Sequence, residues 1–127
     1  MVKLLIIGAG GFLGAVLRYL LTGAFQNLSG SASFPFGTLA VNLLGCFMIG
    51  LLSYIAEYRS LFGVETRMFV FVGLLGAMTT FSTFGNETYG LIKDAKFSFA
   101  LLNIGIHVTV GLGAVWLGRV LAYAVWR

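Results

Sequence analysis

Few side chains in this sequence are suited to hydrogen-bond or proton chemistry, and several recur at helical spacing inside apolar stretches. Asn42 follows Thr38 by about one turn, and Asn103 and His107 are spaced i, i+4, so each pair shares one helix face. Glu87 lies just after a run of hydroxyl and phenyl side chains. Polar groups within long apolar segments are functional candidates because their burial is costly.

The third apolar stretch has the least ordinary composition, since residues 73–85 read GLLGAMTTFSTFG. Its glycines and hydroxyl residues weaken a helix, because Ser and Thr compete for backbone hydrogen bonds. Two interpretations are open. The helix breaks and turns freed carbonyl oxygens inward, where they can hold a small cation, or it continues and the hydroxyls bond back to the preceding turn.

No combination of residues predicts an enzyme. The sequence lacks a carboxylate pair, a nucleophile–base constellation and a glycine-rich phosphate loop after a strand. Cys46 is the single cysteine, which excludes an intramolecular disulfide and any multi-cysteine metal site. His107 has no second His or Cys at metal-ligand spacing, so a packing histidine is its simplest interpretation.

Composition identifies the class of protein. The chain has 127 residues, 59% hydrophobic and 9% charged, with a formal net charge of +4 and a mean hydropathy of +0.99. These values exclude a soluble globular enzyme and a disordered tail, and the small scattered positive charge excludes a nucleic-acid binder. The sequence therefore predicts a single-domain membrane protein.

The charged residues divide the chain into four membrane spans. Uncharged stretches of about 20 residues cross a bilayer as helices, and they show no period-two alternation that would favour a barrel. We predict an all-α protein with spans near 4–25, 36–56, 67–92 and 97–120. A cleaved signal peptide is the competing interpretation of the N-terminus, but Arg18 interrupts that apolar stretch.

The charge count gives a weak orientation signal. The side with both termini and the second loop has five Lys/Arg residues and the opposite side has three, a bias that mildly favours cytoplasmic termini and permits insertion in both directions. The first group is Lys3, Arg59, Arg67, Arg119 and Arg127, and the second is Arg18, Lys93 and Lys96.

The chain contains 18 glycines, many inside the predicted spans. Small residues let helix backbones approach closely in lipid, so close packing within the chain is the simplest role for most of them. Four helices form a thin bundle that does not easily enclose a pathway, so we expect a homo-oligomer, most simply a dimer. The glycines concerned are Gly8, Gly10, Gly11, Gly14, Gly45, Gly50, Gly105, Gly111, Gly113 and Gly118.

Two segments together resemble the CrcB/Fluc family of fluoride channels: residues 37–45, GTLAVNLLG, and residues 76–88, GAMTTFSTFGNET. The similarity extends over essentially the whole chain, including its length and the glycine-rich first helix with Arg18. One departure is Ala77, where the family usually has a second glycine.

The resemblance implies an antiparallel, dual-topology homodimer with two fluoride pathways along its interface. It also implies a structural sodium ion at the dimer centre, held by the backbone carbonyls of Gly76 and Thr79 where the third helix breaks. The implied role is passive export of fluoride across the plasma (inner) membrane of a microbe.

The resemblance also assigns residues to the pathway. Phe81 and Phe84 would line it, Asn42 would donate a hydrogen bond, and Arg18 would lie in the entry vestibule. The remaining candidates are polar: Thr38, Ser82, Thr83, Glu87, Asn103 and His107. The last two lie on the fourth helix, whose part of the pathway varies within the family.

Simpler interpretations remain open for individual residues. Asn42 can serve only to join two helices, and Glu87 can be a solvated carboxylate near a helix end. Two other functions are open for the whole chain. A proton-coupled multidrug exporter needs a membrane-embedded carboxylate, which the first span lacks. A non-transporting subunit of a larger complex would leave the Thr/Ser/Phe cluster without a role.

Overall fold

The computed structural model describes residues 1–58 and 61–126, and every regular element in those two ranges is helical. Four stretches are long and apolar enough to cross a membrane: Val2–Ser29, Phe36–Tyr58, Val64–Lys93 and Phe97–Trp126. The prediction of an all-helical protein with four spans is confirmed. The elements are α1 (Val2–Ser29), α2 (Phe36–Tyr58), α3 (Val64–Arg67), a π-helical segment (Met68–Leu75), α4 (Gly76–Met78), α5 (Phe81–Lys93) and α6 (Phe97–Trp126).

The third span is broken at its middle. Helix α4 ends at Met78, Thr79 and Thr80 are both extended with ψ of 153° and 117°, and α5 begins at Phe81. The prediction of a broken third helix is therefore confirmed. The hydroxyl of Thr79 also donates to the carbonyl of Leu75 at 3.0 Å, so a back-bond to the preceding turn occurs beside the break.

Helix α1 is longer than the span predicted from the sequence. It ends at Ser29 because Gly30 adopts a left-handed conformation with φ of 62°. The helix thus continues for about 16 Å beyond Arg18 at 1.5 Å per residue. Arg18 is half-buried and lies well inside this helix.

Glycines allow the helices to pack backbone against backbone. A Cβ atom at Gly10 would lie 2.5 Å from the carbonyl oxygen of Phe69, and one at Gly73 would lie 2.7 Å from that of Ile7. Gly50 and Gly118 bring α2 and α6 together in the same way. The packing interpretation is confirmed at these sites and at Gly14 and Gly45, whereas a Cβ would meet nothing within 4 Å at Gly8, Gly11, Gly105 and Gly113.

Polar contacts fix the two ends of the bundle. At one end, Gln26 Nε2 donates to the carbonyl of Phe34 at 3.1 Å, and its Oε1 accepts from the amide of Gly37 at 2.9 Å, which anchors the start of α2. At the other end, Arg119 and Glu57 form an ion pair of 2.6 Å between α6 and α2. Arg59 and Arg127, both counted in the orientation argument, lie outside the described residues.

Candidate functional site

Asn42 and Thr80 form a reciprocal pair of hydrogen bonds at the break of the third span. The amide of Thr80 donates to Asn42 Oδ1 at 2.9 Å, and Asn42 Nδ2 donates to the carbonyl of Thr80 at 3.2 Å. A backbone amide only donates and a carbonyl only accepts, so these two bonds fix which way the Asn42 amide points. Asn42 on α2 thus joins two helices by bonding to the backbone groups that the break leaves without helical partners.

His107 contacts the same asparagine from α6. Its Nδ1 lies 3.0 Å from the carbonyl oxygen of Asn103, one turn earlier. Since a carbonyl cannot donate, Nδ1 carries a proton, and the neutral ring then leaves Nε2 as an acceptor. Asn42 Nδ2 lies 3.3 Å from that Nε2. Both nitrogens of His107 thus have partners, as a packing histidine requires, but one of those partners is Asn42.

An open cavity of about 370 Å³ brings these groups together with two phenyl rings. The ring of Phe84 lies 4.5 Å from that of His107 and 5.4 Å from that of Phe81, measured between centroids. Phe81 is 84% exposed in the single chain. Six of the residues singled out by the sequence line this one cavity: Asn42, Gly76, Thr79, Phe81, Phe84 and His107.

Glu87 and Thr38 form a second polar contact, one turn along α2 from Asn42. The Thr38 hydroxyl donates to Glu87 Oε1 at 2.6 Å. Glu87 Oε2 is buried and has no hydrogen-bond partner among the described residues. Glu87 is therefore not a solvated helix-end carboxylate in this structure, because one carboxylate oxygen is bonded to Thr38 and the other is buried.

Asn103 is fully buried between α5 and α6. Its Nδ2 donates to the Thr88 hydroxyl at 2.9 Å, and that hydroxyl donates to the carbonyl of Phe84 at 2.7 Å. Together with the Asn103 carbonyl that accepts from His107, these bonds connect the backbone of α5 at Phe84 to the imidazole on α6. Asn103 thus does not line the cavity, and it hydrogen-bonds to residues of α5 and α6 next to the cavity.

Like Thr38, Glu87 and Asn103, three further predicted residues do not line the cavity. Ser82 and Thr83 are exposed, and their hydroxyls lie 3.1 Å from the hydroxyl of Thr80. Arg18 lies on α1 and is not among the residues that line the cavity. Thr80 itself was missed as a site residue. Its hydroxyl accepts from the Thr83 amide at 3.2 Å as the N-cap of α5, and a threonine just before a helix start is the signal that could have found it.

At the break, two backbone amides bond to side chains instead of to the carbonyls four residues earlier. The Thr80 amide, which would serve Gly76 in a continuous helix, donates to Asn42. The Thr83 amide, which would serve Thr79, donates to the Thr80 hydroxyl. Free carbonyl oxygens suit hard cations such as sodium. Among the described residues, no cluster of three or more His, Cys, Asp or Glu side chains offers another cation site.

Comparison with known proteins assigns the sequence to a family. A family model described as "CrcB-like protein, Camphor Resistance (CrcB)" matches residues 5–119. The chain belongs to the CrcB family. The matched range includes every candidate residue, from Arg18 to His107.

Curated relatives agree with this family assignment over nearly their whole length. The CrcB chain is 47% identical over 122 residues to fluoride-specific ion channel FluC 1 of Methanosarcina acetivorans, covering 96% of this chain and 92% of that protein. It is 46% identical over 125 residues to fluoride-specific ion channel FluC of Methanocaldococcus jannaschii, covering 98% of both chains. It is 45% identical over 124 residues to the FluC of Shewanella frigidimarina, again covering 98% of both.

Proposed function

We propose that this protein is a fluoride-selective ion channel that lets fluoride cross a membrane passively, and that it is not an enzyme. One observation carries the proposal. In a chain whose relatives are named fluoride-specific ion channels, Asn42, Phe81 and Phe84 line a single cavity at a helix break.

The chemistry of fluoride explains why such a cavity is suitable. Fluoride is small and strongly hydrated, so moving it into a bare apolar medium would cost tens of kcal/mol. A selective pathway must replace water with hydrogen-bond donors while staying too narrow for a hydrated chloride. The NH2 group of Asn42 is such a donor.

Phe81 and Phe84 supply a weaker attraction for the same anion. A phenyl ring has a positive edge, which attracts an anion without offering a hydrogen bond. The two rings are spaced i, i+3 and lie 5.4 Å apart between centroids, so they follow one seam of α5. Conduction requires that the ion also leave, and weak ring-edge contacts permit that.

We extend the pathway along the polar groups that flank the cavity. Thr38 and Glu87 form a hydrogen-bonded pair of 2.6 Å on the side of α2 that carries Asn42. Ser82 and Thr83 present exposed hydroxyls on the first turn of α5. Arg18, the half-buried cation of α1, is assigned to the entry vestibule, where its positive charge would raise the local concentration of anions.

We propose that the working unit is an antiparallel homodimer. The support is a cavity that is open on one side and a phenyl ring, Phe81, that is 84% exposed in one chain. A second copy packed against this face would cover the ring and close a narrow path. The Lys/Arg count of five to three is compatible with insertion in both orientations.

A sodium ion is proposed at the centre of that dimer. The carbonyls of Gly76 and Thr79 suit it because the amides four residues later bond to side chains instead. When bound, the ion would supply fixed positive charge near the anion pathways. The chain's own contribution is to hold those carbonyls in place through the Asn42–Thr80 bonds. We further propose that the protein acts in the plasma membrane of a microbe, where fluoride leaves the cell.

A flux assay in liposomes tests the proposed function. Purified protein should release trapped fluoride with no proton gradient applied, and should release chloride far more slowly. Protein-free vesicles give the background. Equal release of both anions, or release that occurs only with a proton gradient, would reject the channel and favour the exporter alternative.

A further inference from the structure

The Asn42 amide has no free donor in this structure. Its two N–H groups point to the Thr80 carbonyl at 3.2 Å and to His107 Nε2 at 3.3 Å. An anion that binds Asn42 must therefore displace one of these acceptors. The Thr80 contact is the harder one to give up, because it is one half of a reciprocal pair.

The His107 contact depends on a single proton. Nδ1 is held as a donor by the Asn103 carbonyl in both charge states, so an added proton can attach only to Nε2. Protonated Nε2 is a donor, and it then faces the Asn42 NH2 group, which also donates. The asparagine cannot resolve this conflict by flipping, because Thr80 fixes the orientation of its amide.

We propose that the Asn42–His107 pair is a proton-linked anion site, which the neutral pair closes by its own hydrogen bond and which protonation opens for fluoride. In the protonated state two donors, Asn42 Nδ2–H and His107 Nε2–H, face the same gap, and an anion between them satisfies both. This inference rests on the proposed fluoride pathway and adds its regulation.

One neighbour of the imidazole can stabilise its protonated form. Phe84 lies 4.5 Å from His107 between ring centroids, within the distance at which an aromatic ring attracts a cation. The cavity beside the pair has a volume of about 370 Å³, which leaves room for the incoming ion.

Other titratable groups on the neighbouring helices must be separated from His107 in any test. Cys46 on α2 lines the same cavity, and Glu87 on α5 bonds to Thr38 one turn away from Asn42. The other titratable side chains of α2 and α5 are Tyr54, Glu57, Tyr58, Tyr89 and Lys93.

Linkage sets the expected effect. If proton and fluoride bind this pair cooperatively, each strengthens the binding of the other by the same factor. One linked proton changes fluoride affinity by at most about tenfold per pH unit. We therefore expect fluoride flux at sub-saturating concentration to rise about three- to tenfold between about pH 7.5 and about pH 5.5 in the wild type.

The experiment measures fluoride flux from liposomes with the same pH inside and outside, corrected with protein-free vesicles for hydrogen fluoride that crosses the lipid. H107Q removes the titrating group while its amide oxygen can still accept from Asn42, so its flux should lose the pH dependence. C46S should keep the wild-type slope, and in E87Q, which alters a pathway residue and can change the flux itself, the ratio of the fluxes at the two pH values should stay that of the wild type. A flat wild-type profile, or an unchanged slope in H107Q, would overturn the proposal.

A second measurement does not depend on any variant. His107 is the single histidine in the sequence, so nitrogen NMR of the tag-free, ¹⁵N-histidine-labelled protein reports on it alone. Adding fluoride, but not chloride, should increase the protonated fraction of the ring at a given pH. An unchanged fraction overturns the proton linkage even where fluoride flux is normal, whereas loss of fluoride flux at every pH would instead overturn the channel function.

Discussion

The Asn42 side chain makes the two hydrogen bonds that a continuous helix would otherwise provide to the backbone of Thr80. The Thr80 amide reaches Asn42 Oδ1 at 2.9 Å and the Thr80 carbonyl accepts from Asn42 Nδ2 at 3.2 Å, so one side chain satisfies both backbone groups of an extended residue at membrane depth. Unpaired backbone groups are costly in lipid, and irregular backbone persists there only where such partners exist. The residue that is proposed to bind the ion is thus also the residue that stabilises the break.

N42D tests this double role. Asp can still accept from the Thr80 amide, but its second oxygen faces the Thr80 carbonyl, which can only accept, and it brings a negative charge next to the proposed anion pathway. We expect fluoride flux in liposomes to fall about ten- to a hundredfold, from the roughly 1–3 kcal/mol lost when a buried acceptor has no donor. N27D, the same change at an exposed position near the end of α1, is the matched control. Equal flux in the two variants would contradict the assigned role.

The two phenyl rings can be tested by F81I and F84I. Each change keeps an apolar side chain but removes the ring edge. Contacts between two aromatic rings contribute about 0.5–1.5 kcal/mol, and we take the contact between ring edge and anion to be of the same order. We expect each variant to reduce fluoride flux by about tenfold. F12I, at a ring that is 70% exposed on α1, controls for loss of an aromatic residue in general. Near-normal flux in both F81I and F84I would remove the ring-edge argument.

Gly45 on α2 lies directly against the break of the third span. A Cβ at this residue would collide with the Cγ2 methyl group of Thr79. Helix α2 can therefore approach the extended segment this closely only if residue 45 is glycine. We expect G45A to lower the free energy of unfolding by about 1–3 kcal/mol, as overpacking does, and to lower fluoride flux with it. The readouts are thermal unfolding in detergent and flux in liposomes.

G113A provides the matched control for that variant. Nothing lies within 4 Å of a Cβ at Gly113 on α6, and replacing an unhindered helical glycine stabilises a helix by about 0.5–1 kcal/mol. G113A should therefore unfold at the same temperature as the wild type or a higher one. If G45A were as stable and as active as G113A, Gly45 would have no part in positioning Thr79.

The sequence predicted the four spans because charge-free stretches of membrane length leave few alternatives. Composition left the third span either broken or continuous, and the resemblance to the CrcB/Fluc family implied a break at its middle. The relative directions of side chains on either side of that point were not predictable. A helix rotates by about 100° per residue, and the extended Thr79 and Thr80 interrupt this rotation.

Because of this interruption, the sequence did not predict the direction in which several candidate side chains point. Ser82 and Thr83 lie in the same motif as Phe84, yet their hydroxyls meet Thr80 at the start of α5 and do not line the cavity. The partner of Glu87 is Thr38, 49 residues earlier, a pairing that helical spacing within one span cannot reveal. The π-helical segment Met68–Leu75 likewise has no residue signature of its own.

Removing sodium tests the proposed cation at the carbonyls of Gly76 and Thr79. An ion that binds only the folded protein stabilises it in proportion to the logarithm of its concentration. Protein purified with a large organic cation in place of sodium should therefore unfold at a lower temperature, lose its dimer more readily and pass less fluoride. Adding sodium back should restore all three properties, whereas adding more of the organic cation, which is too large for the carbonyls, should restore none. Identical unfolding temperatures, dimer content and flux in the two preparations would remove sodium from the structure, while the Asn42–Thr80 bonds and the phenyl-lined cavity would stand without it.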